Sequence, residues 1–341
     1  MPEVVETSLF LGMFSAYDAF TGNLIAEIYR LKPELFNVIN RNVPVSEILQ
    51  FDSFEALKES VLHDEIENFR RKSYVEQFED MEKVFDLNLK IFDRWPQFVE
   101  CAQRRNLLTH CDGIVSEQYL QVCKREGYVF SSQIQIGDKL KLGGEYFLPS
   151  CELLMEVGLK LGQTLWRKLF PDQINKADSH LIQVTYDSLQ REKWKLAQVF
   201  GEFAISQKRF SNDLNYKISI IDYAISLKFG GELESADSIL KTVDWTAAID
   251  EFKLAEAVLL HKYDFAAEIM NKIGKKGTLI SEHAYHDWPL FSEFRATHQF
   301  LDAYERIYEY PFVDELKREA IKAEEVASRK ESNQEVSNKE K

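Results

Sequence analysis

Arg105 and His110 stand five residues apart in Arg104-Arg105-Asn106-Leu107-Leu108-Thr109-His110, the segment of this 341-residue chain best equipped for acid–base work on a phosphodiester. Histidine titrates near neutral pH and can accept or donate a proton. Arginine keeps its charge and presents a fork of N–H donors that matches phosphate oxygens. RNA can be cut by its own 2′-hydroxyl attacking the adjacent phosphorus. That reaction needs a proton acceptor, a proton donor and a cation for the charge that builds on the phosphorane. We take His110 as general acid or base, Arg105 as the phosphate clamp, Asn106 as an orienting hydrogen-bond partner and Arg104 as an RNA phosphate contact. Residues five apart on a regular helix point about 140° from one another. Two copies meeting at a twofold axis would remove that difficulty. The plain alternative is that Arg104, Arg105 and His110 complement the dipole at a helix C-terminus.

Other candidates carry less chemistry. His283 and His286 have the spacing of metal ligands, but no third ligand lies nearby in sequence, and a helix start after Ser281 accounts for the segment. Cys101, Cys111, Cys123 and Cys151 form no Cys-x-x-Cys pair and are expected as buried free thiols. Gly143-Gly144 and Gly230-Gly231 read as turns, and no phosphate loop, dinucleotide fingerprint or Gly-x-Ser-x-Gly motif is present. The clusters around Glu65 and Asp80 read as solvated helix faces. No metal and no cofactor is expected.

The elements that must position the motif read as helices throughout. Leu9, Phe10, Met13, Phe14, Tyr17, Phe20, Leu24, Ile25, Ile28 and Leu31 recur at three- and four-residue steps, one long helix closed before Pro33. Ser53 caps the next, and Tyr74 to Phe85 forms another. Trp95-Pro96 opens the helix that carries the motif, with Pro96 in its first turn, and Asp112-Gly113 stops it. A helix follows from Ser116. Residues 128–147 carry β-branched alternation and glycine turns, which predicts a short hairpin or an ordered loop. Helical patterning returns from Glu145 to Leu169. Beyond Asp172 come short amphipathic stretches at about 173–190, 192–209, 213–229, 232–241, 247–260 and 263–273, then 290–308 and 312–328. Ala197, Ala204, Ala224, Ala236 and Ala267 supply small residues for helix crossings, a pattern loosely like stacked tetratricopeptide hairpins without a clean repeat. From Ser328 onward apolar periodicity is lost, and a disordered tail is expected.

The composition, 45% hydrophobic and 29% charged, is that of a globular chain. A net charge of -14 disfavours broad binding to polyanions, so any nucleic-acid contact must be local. No run approaches eighteen apolar residues and the N-terminus opens with acidic residues, so a cytoplasmic protein without a membrane span is expected.

Together with its surroundings, the Arg105-to-His110 motif resembles the signature of the HEPN superfamily (higher eukaryote and prokaryote nucleotide-binding): an arginine, a polar residue, three more residues and a histidine near a helix end in an all-α bundle. The resemblance covers roughly residues 5–170, including WPQFVECAQRRNLLTHCDGIVSEQYL and CELLMEVGLKLGQTLWRKLF. It implies a HEPN-like helical bundle at 1–170; with the helical patterning of the rest, an all-α fold is expected, with a helical-repeat-like region at 171–310 and a terminal helix and tail at 311–341. It also implies a metal-independent endoribonuclease whose composite site forms across a homodimer, each subunit giving one arginine and one histidine, in the setting of bacterial toxins or phage defence. An alternative is a catalytically inactive dimerisation or adaptor protein that binds a protein partner through its C-terminal helices. A third is a regulator that grips a nucleotide phosphate without cleaving it.

Overall fold

The computed structural model describes residues 3–39, 41–131 and 133–313. The helix expected at 312–328 falls almost wholly, and the tail from Ser328 wholly, outside the described residues. The fold is all-α: among the described residues there is no strand, and an isolated antiparallel bridge joins Ile114 to Lys139. Residues 128–131 and 133–143 therefore lie in a loop rather than a hairpin. No described helix is long and apolar enough to cross a membrane. The chain divides into two compact units between Gln173 and Ile174.

The first unit holds α1 (Glu3–Leu31), the single turn α2 (Val45–Ile48), α3 (Phe54–Arg71), α4 (Tyr74–Phe85), α5 (Trp95–His110), α6 (Glu117–Arg125) and α7 (Gly144–Leu169). Local signals set the starts. Ser53 Oγ accepts from the Ala56 N–H, Ser73 and Glu76 form a reciprocal capping box, and Ser116 Oγ accepts from the Tyr119 N–H. The core is aromatic. Tyr17 and Tyr74 each lie within 6 Å of the Phe98 ring, at 5.8 and 5.7 Å, and Phe78 stands 4.9 Å from Trp95. These side chains tie α5 to α1 and α4, and burying them supplies most of the drive to assemble the unit. A smaller cluster of Leu107, Val115, Tyr119 and Cys123 fastens α5 to α6.

The second unit contains α8 (Ile174–Gln190), α9 (Trp194–Ile205), α10 (Asp213–Phe229), α11 (Leu233–Leu240), α12 (Asp250–Leu259), α13 (Tyr263–Ile273), α14 (Glu282–Asp287) and α15 (His298–Tyr308). Ala197, Ala204, Ala224 and Ala236 are buried, and Ala267 packs partly buried against the same core. At Gly201 any Cβ would press on Tyr223, so glycine lets α9 and α10 approach closely. The continuous helix expected at 290–308 is replaced by two 3₁₀ turns, Pro289–Phe291 and Phe294–Ala296, with α15 beginning only after Thr297. The 3₁₀ spacing turns both Phe291 and Phe294 fully into the core, and the Thr297 hydroxyl caps the Phe300 N–H.

Candidate functional site

Helix α5 is fixed at both ends. Trp95 Nε1 donates to Glu126 at its start. At its finish the Cys111 and Gly113 N–H groups both donate to the Leu107 carbonyl, with Asp112 and Gly113 at φ of 50° and 76°. Gly113 is required there, because the backbone is left-handed and a Cβ would meet the Leu140 carbonyl at 3.0 Å. The stop leaves His110 as the last helical residue, exposed.

Arg105, Asn106 and His110 border one cleft of roughly 380 Å³. That volume lies within the range of small-ligand sites. A single copy of the chain thus places the arginine and the histidine on one cavity, although their angular separation had pointed to a need for a second. The lining also takes Asp18 from α1, and Arg70, Arg71, Lys72, Ser73 and Tyr74 from the junction of α3 and α4. The first turn of α6 completes the rim with Ser116 and Gln118. The N-caps of α4 and α6, Ser73 and Ser116, both line this cleft, so the positive ends of two helix dipoles lie beside it.

The Arg105 guanidinium is held at two points. Its Nη1 donates to Asn106 Oδ1 at 3.1 Å, and its Nη2 lies 3.3 Å from Asp18 Oδ2. Asp18 in turn accepts a 2.6 Å hydrogen bond from the Tyr74 hydroxyl through its other oxygen. Burial, reinforced by the Asp18 charge, pushes the Tyr74 hydroxyl well above its ordinary range, so it remains a donor. Two more cations of the cleft are already compensated: Arg70 pairs with Glu67 at 3.2 Å and Lys72 with Asp80 at 2.6 Å.

Arg104, expected as a phosphate contact, does not border the cleft. It is turned inward, where Nη2 lies 2.8 Å from Glu100 and the guanidinium sits 3.8 Å over the Tyr146 ring. Glu100 is 2% exposed and also accepts from the Tyr119 and Tyr146 hydroxyls at 2.6 and 2.7 Å. A buried carboxylate demands a cation and further donors, and the sequence neighbour four residues on supplies the cation. Neither Glu100 nor Asp18 was singled out by sequence. The run Arg70-Arg71-Lys72 was legible as a cluster of charge, but nothing local joined it to the motif.

The remaining candidates separate. His286 is buried, with Nε2 3.1 Å from the Tyr304 hydroxyl and its ring stacked on Phe312, whereas His283 is exposed and pairs with Asp287. The helix does begin after Ser281, though the serine side chain makes no capping bond. Cys101 and Cys123 are buried as expected; Cys151 is half-buried, and Cys111 is exposed because it lies one residue past the end of α5.

No family model, curated protein or solved structure matches the chain.

Proposed function

We propose that the chain is a metal-independent endoribonuclease of the HEPN type and that the cleft bordered by Arg105, Asn106 and His110 is where it cuts. The observation that carries this reading is their placement: Arg105, half-buried, and His110, exposed, both line one cavity. A clamp and a proton-transfer group on one concave surface are the minimum for in-line attack by a 2′-hydroxyl.

In this reading a neutral His110 accepts the 2′-hydroxyl proton as that oxygen attacks phosphorus. Arg105, oriented by Asn106 and Asp18, takes the charge gathered on the non-bridging oxygens. The P–O5′ bond breaks, and the leaving oxygen takes a proton from a second imidazolium, which His110 of another copy provides in a homodimer. The products are a 2′,3′-cyclic phosphate and a 5′-hydroxyl. Arg104 has no part in the step, because Glu100 and Tyr146 hold it in the interior.

The test is cleavage of mixed RNA in EDTA by the wild type, His110→Ala and Arg105→Ala at matched oligomeric state. Cyclic phosphate ends that disappear by about 10²–10⁴-fold in both variants would support the assignment. Absence of cleavage by the wild type, or cleavage untouched by both substitutions, would overturn it in favour of a binding module.

A further inference from the structure

Arg71, the last residue of α3, is exposed on the cleft wall formed by the junction of α3 and α4. Arg105, Arg70 and Lys72 each face a carboxylate, whereas among the described residues Arg71 has no ion-pair or hydrogen-bond partner. It is therefore the arginine or lysine of this cleft that an incoming anion can engage without displacing a carboxylate. The same lining carries Ser73, Gln77 and Asn106, whose polar side chains are engaged with Glu76, the Lys72 carbonyl and Arg105 respectively.

On its other side Arg71 borders a second hollow, lined by Asp64, Glu65 and Glu67 together with Arg41. Arg41 adds no free charge there, since Asp64 holds it at 2.6 Å and Glu47 at 3.3 Å. Asp64 and Glu67 are offset in turn by Arg41 and Arg70, whereas Glu65 has no such partner among the described residues, so a polyanion that passes Arg71 meets no uncompensated arginine or lysine in that hollow.

We propose that Arg71 binds the phosphate adjacent to the one held at Arg105, so that the cleft takes a single nucleic-acid strand over two successive phosphates and no further. This rests on the nuclease reading for which phosphate is cut, but the phosphate count concerns binding alone. A helix C-terminus also favours arginine for its dipole, and that role would leave binding untouched.

The full-length chain is titrated, by fluorescence anisotropy, with single-stranded RNA carrying 2′-O-methyl riboses, which cannot be cleaved, as a dinucleotide, a trinucleotide and a longer oligomer. Affinity is expected to rise from dinucleotide to trinucleotide and then level off. Arg71→Ala should weaken the trinucleotide about tenfold, leave the dinucleotide unchanged and lower the salt slope by about 0.7. Arg71→Lys should recover most of the loss, and thermal unfolding of both variants should match the wild type. Equal trinucleotide affinity in wild type and Arg71→Ala, affinity that keeps climbing with length, or no binding at all would overturn the proposal. Arg71-dependent binding without cleavage of ordinary RNA would sink the nuclease reading and leave this one standing.

Discussion

Asp18 Oδ2 lies 3.3 Å from Arg105 Nη2, so a carboxylate from α1 occupies one edge of the guanidinium that faces the cleft. The pair is about one-quarter exposed on each side, 27% and 26%, a setting in which ion pairs contribute little to stability. Its consequence is electrostatic. A fixed negative charge beside the clamp both aims Arg105 and competes with any phosphate that approaches it.

Asp18→Asn keeps a hydrogen-bond acceptor for Tyr74 and removes that charge. It should tighten binding of a non-cleavable RNA by about three- to tenfold at low salt, an effect that shrinks as salt is added, with folding stability changed by less than about 1 kcal/mol. A salt series of binding titrations measures it. Weaker binding would show that aiming Arg105 matters more than relieving the competition.

Glu100 is the post on which α5, α6 and α7 are tied, through Arg104, Tyr119 and Tyr146. Glu100→Ala leaves Arg104 buried without its counter-charge and should cost about 3–5 kcal/mol in urea unfolding. Tyr119→Phe, which removes one donor, should cost about 1 kcal/mol. A loss below about 1 kcal/mol for Glu100→Ala would mean that the network is dispensable.

Thiol reactivity should single out Cys111. Burial pushes both Cys101 and Cys123 up to about 12, which leaves them as inert thiols at neutral pH. Cys111 is exposed and borders the cleft. Brief alkylation of the native protein followed by peptide mapping should find the adduct on Cys111, and the alkylated protein should bind RNA more weakly because the adduct intrudes on the cleft. Preferential labelling of Cys101 would contradict the packing described for α5.

Asp222, in α10, is 1% exposed and its Oδ1 has no hydrogen-bond partner among the described residues. Burial raises its pKa from 3.8 to about 8. The folded chain thus keeps a proton that the unfolded chain releases. That contribution to stability is whole below the unfolded value and is lost as pH rises through the folded one. Urea midpoints should fall between about pH 4 and 8, and Asp222→Asn, which cannot ionise, should flatten the fall by about 1–3 kcal/mol. An unchanged slope in the variant would assign the pH dependence elsewhere.

The long helices of the first unit, their serine caps and the Asp112-Gly113 stop were legible in the sequence because each depends on residues within one or two turns of itself. A 3.6-residue apolar rhythm fixes a buried face whatever lies against it. The same rhythm misread 290–308, where Phe291 and Phe294 follow the core rather than an α-helical period. It was also silent on which of two consecutive arginines would face outward. Arg104 goes in and Arg105 out because Glu100 is buried against tyrosines from α6 and α7 and must be neutralised there. Asp18 reaches Arg105 across 87 residues of sequence, and Arg71 joins His110 on one cleft only through the packing of α3 and α4 beside α5. The residue types that could do chemistry were thus set by the sequence alone. Which of them share a cavity, and which are consumed in holding the bundle together, depends on contacts between distant segments that no local pattern encodes.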